Sequence, residues 1–155
     1  MRRAEREITA FSEQIAVMRK CTVCRVAFHD TPYPYIVPMN FGMEVEDTQV
    51  TLYFHGAGEG KKLELLKKSP NVAFEMDCAH QLIMSTTACS CSMAYESVMG
   101  QGQLKFVTGE EKQRGLEALL RQFQIESMPM SEAVLSRTTV LKLVVTQITG
   151  KRHIR

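Results

Sequence analysis

The chain has 155 residues, of which 45% are hydrophobic and 23% are charged, a composition typical of a single globular domain. Its formal net charge of +2 is too small to predict binding to nucleic acid or to an anionic membrane. No run of apolar residues approaches the roughly 18 that a membrane span requires. The charged N-terminal segment does not resemble a secretory signal, and five cysteines outside a secretory context indicate reduced thiols, so we expect a cytoplasmic protein.

The first half of the chain is predicted to begin with a helix and to continue as a β-meander. Apolar residues recur at helical spacing and predict an amphipathic helix over residues 8–19. These residues are Ile8, Phe11, Ile15 and Met18. β-Branched and aromatic residues then predict three strands, at residues 21–29, 35–41 and 49–55. Pro38 in the second strand favours an edge, a bulge or a strand end, because proline cannot donate to a β-ladder.

The second half is predicted to contain two clear helices and further strands. Leucines predict a short helix over residues 61–68, which Ser69 and Pro70 end, and a second leucine stripe predicts a helix from Gly109 to Phe123. A further short helix is predicted at residues 131–136. Strands are predicted at residues 72–77, 81–86, 95–107 and 139–148. Without repeats or linkers, residues 1–155 are expected to form one mainly β domain, an antiparallel barrel of six to seven strands with peripheral helices.

The glycine-rich stretch HGAGEGKK, which begins at His55, is the strongest candidate for a binding site. It fails the triphosphatase motif, because His55 stands where a glycine is required and Lys62 where a hydroxyl is required. It also fails the dinucleotide fingerprint, since Gly56, Gly58 and Gly60 are spaced G-x-G-x-G. A helix start with free N–H groups and two lysines still suits one terminal phosphate or another small anion. The alternative is a structural turn with solvated lysines, although lysines on the first turn oppose the helix dipole and favour a bound anion.

The cysteines offer a second candidate site. Cys21 and Cys24 are spaced C-x-x-C, and Cys89 and Cys91 are spaced C-x-C, so a zinc site with four sulfur ligands is conceivable. The first pair lies in a predicted strand, where side chains three residues apart point to opposite faces. Buried and unreactive thiols are therefore the favoured interpretation.

The histidines show no spacing typical of a metal motif, and the chain has no nucleophile elbow, so no metal site is predicted. His55 is kept as a candidate functional residue because it ends a predicted strand and opens the glycine-rich stretch. The alternative for His55 is a half-buried histidine bonded to its own loop. Five methionines are expected to fill a core or a pocket, namely Met84, Met93, Met99, Met128 and Met130.

Four segments together resemble a known family. They are PYIVPMNFG (34–42), LYFHGAGEGKKLELLKKSPNVAFEMD (52–77), YESVMGQG (95–102) and VLKL…ITGKR (140–152). These segments resemble the nitroimidazole-resistance-like branch of the pyridoxamine 5′-phosphate oxidase-like flavoproteins, in order from about residue 18 to residue 152. The resemblance implies a Greek-key-like split β-barrel that forms a homodimer and binds one FMN in each of two clefts between protomers.

The resemblance also implies a set of FMN-binding residues. The phosphate is expected to be held by Lys61 and Lys62. The loop around the phosphate and the ribityl chain is expected to comprise His55, Gly56, Ala57 and Gly60. The strand whose backbone faces the isoalloxazine ring is expected to contribute Pro38, Met39, Asn40 and Phe41. The strand that reaches the flavin from the partner subunit is expected to contribute Glu96, Ser97 and Val98. A bound flavin carries the redox chemistry itself, which would explain why no catalytic triad can be assembled from the sequence.

Departures from the family pattern narrow the expected activity. The chain has no tryptophan, and its C-terminal ITGKRHIR only superficially resembles the signature of the oxidase proper, so pyridoxamine phosphate oxidase activity is not expected. We expect electron transfer from a reduced nicotinamide, NAD(P)H, or another donor to a small organic acceptor, with His55 or Tyr95 as proton donor. Two alternatives stay open: a haem-binding split barrel with His55 or His80 as ligand, and a non-catalytic flavin-binding or stress protein.

Overall fold

The computed structural model describes residues 3–126, 129 and 131–154, and eight antiparallel strands within them form one sheet. The strands are β1 (Glu7–Ile8), β2 (Cys24–Phe28), β3 (Tyr35–Met39), β4 (Gly42–Glu46), β5 (Gln49–Gly56), β6 (Asn71–Ile83), β7 (Ser92–Val107) and β8 (Thr139–His153). The helices are α1 (Phe11–Lys20), α2 (Lys61–Lys68), α3 (Gly109–Gln122) and α4 (Glu132–Arg137). None of the helices in the described residues combines the length and the apolar character needed to cross a membrane.

The sheet has the order β3-β2-β6-β7-β8-β5-β4, and β1 pairs with β8 outside this path. The two edge strands, β3 and β4, are consecutive in the chain and are joined only through Asn40 and Phe41. Phe41 is completely buried, so the linker between the two edges packs into the core. The sheet therefore curls until its edges approach each other, as in a barrel that is split along one side.

Apolar side chains fill the inside of this curled sheet. Alternate residues of β5, Val50, Leu52 and Phe54, are buried in the main core with residues of β7 and β8. Tyr53 points to the other face of β5, where it forms a smaller cluster with residues such as Ala118 of α3. Both faces of β5 are therefore covered, which fixes the strand that leads into the glycine-rich stretch.

Several predicted features are confirmed. The fold is mainly β with peripheral helices, and α2 has the predicted bounds, Lys61–Lys68. Pro38 lies on β3, an edge strand, as the absence of its N–H required. The strand predicted at 95–107 lies within β7, which carries a register shift between Gln101 and Gly102.

The first predicted helix is wrong at its N-terminal end. Residues 8–10 are not helical, because Ile8 belongs to β1 and pairs with Gly150 of β8. The Gln14 side-chain amide donates a hydrogen bond of 2.8 Å to the Ile8 carbonyl, which ties the helix to this strand. Pairing with a distant strand thus overrides the helical spacing of Ile8.

The strand count is also corrected, because the described residues contain eight strands rather than six or seven. The strands predicted at 72–77 and 81–86 form one strand, β6, interrupted by a bulge between Cys78 and Gln81 where Ala79 has a φ of 57°. The prediction missed β1 and β4. Met43 and Val45 do alternate with acidic residues before a tight turn, which is the pattern of a hairpin strand.

Gly42 allows α3 to lie directly on β4. A Cβ at this position would lie 2.3 Å from the Leu119 nitrogen and 2.4 Å from the Ala118 carbonyl carbon. Because these are backbone atoms, Gly42→Ala is expected to lower the free energy of unfolding by about 2–4 kcal/mol, measured by urea denaturation. Gly58→Ala is the control, since its Cβ would meet Thr139 Oγ1 at an ordinary 3.7 Å. Equal stability of the two variants would contradict the close packing of α3.

Candidate functional site

The glycine-rich stretch connects the end of β5 to the start of α2. His55 lies near the end of β5 and is exposed. Gly60, the residue before α2, has a φ of 121°, a conformation that residues with a Cβ rarely adopt. No side chain caps the helix, and the Leu63 N–H is bonded to the Gly60 carbonyl at 2.9 Å, so in the described residues the N–H groups of Lys61 and Lys62 remain for an external acceptor. The loop therefore leads into a helix N-terminus of the kind at which anions bind in proteins.

Lys62 places its ammonium group over this loop. The side chain is half-buried, and a Cβ on Gly56 would lie only 3.0 Å from Lys62 Nζ. Among the residues that the structure describes, Lys62 makes no ion pair and no side-chain hydrogen bond. A half-buried cation without a counter-ion is costly, so this position favours a bound anion.

Lys61 has a different environment. Its Nζ lies 2.7 Å from Asp30 Oδ2 and 4.8 Å from the centre of the Tyr35 ring. The hydrogen bond from Lys61, followed by the one from the Thr31 N–H, holds the pKa of the Asp30 carboxyl below its usual value. The same bond raises the pKa of Lys61. Sequence reasoning missed Asp30, although it lies in the short connection between the first two predicted strands.

The segment predicted to face the flavin ring, residues 38–41, alternates between buried and exposed side chains. Met39 and Phe41 are buried, and Pro38 and Asn40 are exposed. The Asn40 side-chain amide donates a hydrogen bond of 2.9 Å to the Thr22 carbonyl, which fixes the linker between the two sheet edges. This placement is compatible with a backbone contact to a ring, and that role stays a prediction.

The predicted residues on β7 point in opposite directions. Glu96 faces inward, is 7% exposed, and accepts a hydrogen bond of 2.6 Å from Lys20. Val98 is completely buried. Ser97 alone of the three faces outward, half-buried, with its hydroxyl 3.5 Å from the Lys151 carbonyl. Only the Ser97 side chain can therefore contact a ligand on this face.

The strand register places the glycine-rich stretch and Ser97 far apart within one chain. Gly56 pairs with Thr139 at the start of β8, whereas Ser97 pairs with Lys151 near its end. The intervening stretch of β8 is roughly 40 Å long at about 3.3 Å per residue. The phosphate-suited loop and Ser97 are thus brought to opposite ends of the same strand.

Tyr95, the other predicted proton donor, has cations beside it. Lys151 Nζ lies 5.9 Å from the centre of its ring. Burial raises the pKa of the Tyr95 phenol, but hydrogen bonding from Lys151 and Arg6 outweighs burial, and the net shift is downward. A phenol with a lowered pKa is a stronger acid than an ordinary tyrosine.

The cysteines do not assemble into one site. Cys21 and Cys24 are buried, whereas Cys89 is exposed on the connection between β6 and β7, so the prediction of buried thiols is right for the first pair and wrong for Cys89. Burial, followed by the neighbouring Cys78, raises the pKa of Cys21 to about 12, and burial also raises that of Cys24. Within the described residues, no three His, Cys, Asp or Glu side chains are grouped to hold a metal ion. Three of the methionines predicted to fill a core or a pocket, Met84, Met93 and Met99, are exposed, and Met128 and Met130 lie outside the described residues.

A curled antiparallel sheet split between β3 and β4, with an anion-suited loop after β5, defines this chain as a split-barrel protein. Residues 12–152 match the family model described as pyridoxamine 5′-phosphate oxidase. The chain belongs to the pyridoxamine 5′-phosphate oxidase family. No curated protein sequence matches the chain.

Solved structures agree with this assignment. The chain is 32% identical to a Bacteroides thetaiotaomicron protein proposed to be a 5-nitroimidazole antibiotic resistance protein, with a TM-score of 0.82 over 94% of this chain and 86% of that one. An FAD- and haem-binding protein from Mycobacterium smegmatis is 19% identical, with a TM-score of 0.83 over 97% of this chain and 74% of that one. The flavocytochrome Anf3 from Azotobacter vinelandii is 16% identical, with a TM-score of 0.82 over 100% of this chain and 72% of that one. The last two show the fold alone.

The raised pKa of Cys21 predicts a large difference in thiol reactivity. At pH 8 the thiolate form of Cys21 is strongly disfavoured, and only the thiolate attacks an alkylating reagent. Iodoacetamide should therefore label exposed Cys89 at least about a hundred times faster than Cys21, as peptide mass spectrometry would measure. In guanidinium chloride the two rates should converge. Equal rates in the folded protein would contradict the burial of Cys21.

Proposed function

We propose that the protein is a homodimeric FMN-dependent oxidoreductase that reduces a small organic acceptor. The observation that carries this proposal is the half-buried ammonium group of Lys62, which lies over Gly56 without a counter-ion in the described residues. Family membership and the 32% identity to a proposed nitroimidazole-resistance protein support the same conclusion.

A terminal phosphate suits this loop better than a diphosphate linkage. A phosphate monoester carries a charge of roughly −2 near neutral pH. The Lys62 ammonium and the positive end of α2, worth about half a charge, would neutralise much of it, and the free N–H groups of the first turn would donate hydrogen bonds. FMN ends in such a monophosphate, whereas the phosphates of FAD are internal, so we propose FMN as the cofactor.

A second copy of the chain would complete the site. The loop that suits the phosphate and the outward-facing Ser97 lie at opposite ends of β8, so one flavin does not reach both in a single chain. Met93 and Met99 are also exposed on the same strand as Ser97. Exposed apolar side chains beside a predicted ligand contact are typical of a subunit interface.

A bound flavin supplies two-electron redox chemistry, and the chain supplies binding, orientation and protons. His55 is the proposed catalytic residue because it is exposed at the mouth of the loop, and Tyr95 is the alternative proton donor because its pKa is lowered. The proposed electron donor is NAD(P)H and the proposed acceptor is a small molecule with a reducible group, such as a nitro group. Five free thiols support a reducing, cytoplasmic location.

The visible absorption spectrum tests the cofactor directly. The purified protein, or the apoprotein after addition of FMN, should show the two visible bands of oxidised flavin, and the fluorescence of FMN should be quenched at micromolar protein. The double variant Lys61→Ala with Lys62→Ala should lose FMN while its circular dichroism stays unchanged. A colourless protein that does not quench FMN would refute the proposal, and a Soret band after haemin addition would favour the haem-binding alternative.

Mixed dimers test whether each site is shared between two chains. At a free FMN concentration near the wild-type dissociation constant, Lys62→Met and Ser97→Trp homodimers should both hold little flavin, because each variant damages both clefts. A mixed dimer, purified through two different affinity tags, should regain one intact cleft and hold about half of the wild-type flavin. Size-exclusion chromatography would check that every variant remains a dimer. A mixed dimer that holds no flavin would mean that Lys62 and Ser97 of the same chain serve the same cleft. That result would contradict a site shared between two chains.

A further inference from the structure

The two lysines that begin α2 are equivalent in sequence but not in structure. Lys61 is paired with Asp30 at 2.7 Å and lies over Tyr35, whereas Lys62 is half-buried over Gly56 with no ion pair among the described residues. An incoming anion therefore meets Lys61 with its charge already balanced by Asp30, and Lys62 without such a partner in the described residues.

Asp30 is held in place to receive Lys61. Its Oδ1 accepts a hydrogen bond of 2.9 Å from the Thr31 N–H, and its Oδ2 accepts the one from Lys61, so both oxygens of the carboxylate are engaged. The carboxylate is also partly shielded, since its side chain is 23% exposed. The Thr31 N–H holds Oδ1 independently of Lys61, which orients the carboxylate and reduces the entropy lost when Lys61 binds Oδ2.

The ion pair connects elements that no strand ladder joins directly. Asp30 lies between β2 and β3, and Lys61 is the first residue of α2. Tyr35, the first residue of β3, supports the ammonium with its ring face. The Asp30–Lys61 pair thus links the start of α2, with its free N–H groups and the neighbouring Lys62, to the connection between β2 and β3.

We propose that Asp30 is a positioning residue that engages Lys61 as a strut, and that Lys62 is the single lysine that binds the phosphate. This inference rests on the proposed function, because it assigns roles within the proposed FMN site. It changes the charge balance of that site, because the negative charge of Asp30 balances the positive charge of Lys61. The charge of the FMN phosphate is then balanced only by Lys62 and the N-terminus of α2.

The effect of Asp30→Asn on FMN affinity separates the two possible roles of Lys61. If Lys61 is a strut, Asp30→Asn loosens the start of α2 and FMN binds more weakly. If Lys61 binds the phosphate, the same substitution removes a negative charge near the phosphate, releases Lys61, and FMN binds more tightly. The two roles therefore predict changes of opposite sign.

The experiment measures dissociation constants of the purified dimer for FMN and for riboflavin, which lacks the phosphate, by fluorescence quenching. Lys62→Met should weaken FMN binding by about tenfold or more, as expected for loss of a charge-assisted hydrogen bond, and should leave riboflavin binding unchanged. Asp30→Asn and Lys61→Met should each weaken FMN binding by about threefold, and the double variant should be no worse than either single variant. Lys61→Arg, which can still pair with Asp30, should bind FMN with the wild-type affinity.

Matched controls are Lys67→Met in the last turn of α2 and Asp47→Asn in the β4–β5 turn, both at exposed positions. Neither should change the ratio of FMN affinity to riboflavin affinity. Tighter FMN binding by Asp30→Asn, or equal losses from Lys61→Met and Lys62→Met, would overturn the strut while leaving the flavin proposal intact. A wild-type protein that binds neither FMN nor riboflavin would overturn both.

Discussion

Strand β8 is the constraint on which the rest of the structure depends. It pairs with β7 along most of its length, with β5 over its first half and with β1 near its end. In these ladders Gly56, in the glycine-rich stretch, pairs with Thr139, and Ser97 pairs with Lys151. Because a paired strand cannot shorten, the separation of the two groups of predicted ligand contacts is fixed by hydrogen bonds of the backbone. The proposal of a site shared between two chains rests on this separation more than on any exposed patch.

The distribution of counter-ions distinguishes structural cations from available ones. Lys20 is paired with Glu96 at 2.6 Å, and Arg152 is paired with Glu13 at 2.7 Å, so these charges tie α1 to the sheet. Lys61 has Asp30 in the same way. Lys62 has no such partner in the part of the chain that the structure describes, although it is half-buried. Of the two lysines at the start of α2, Lys62 therefore carries the charge that is not yet balanced, and the helix start adds to it.

The sequence correctly predicted the structural features that depend on neighbouring residues in the chain. The bounds of α2 follow from its leucines and from Pro70, and the position of Pro38 on an edge strand follows from its missing N–H. Features that depend on distant partners were not predictable in this way. Ile8 has a helical spacing but pairs with Gly150, and the two halves of β6 merge because a bulge at Ala79 allows the strand to continue.

The candidate site shows the same limit more sharply. The sequence GKK presents two adjacent lysines, and nothing local distinguishes them, so both were expected to bind phosphate. The difference between them comes from Asp30, which is close to Lys61 only after β2, β3 and α2 have packed together. A count of charges along the chain therefore overestimates the positive charge that a ligand meets. What a loop can bind depends on how many of its charges the fold has already neutralised, and here the fold pairs Lys61 with Asp30 and gives Lys62 no counter-ion within the described residues.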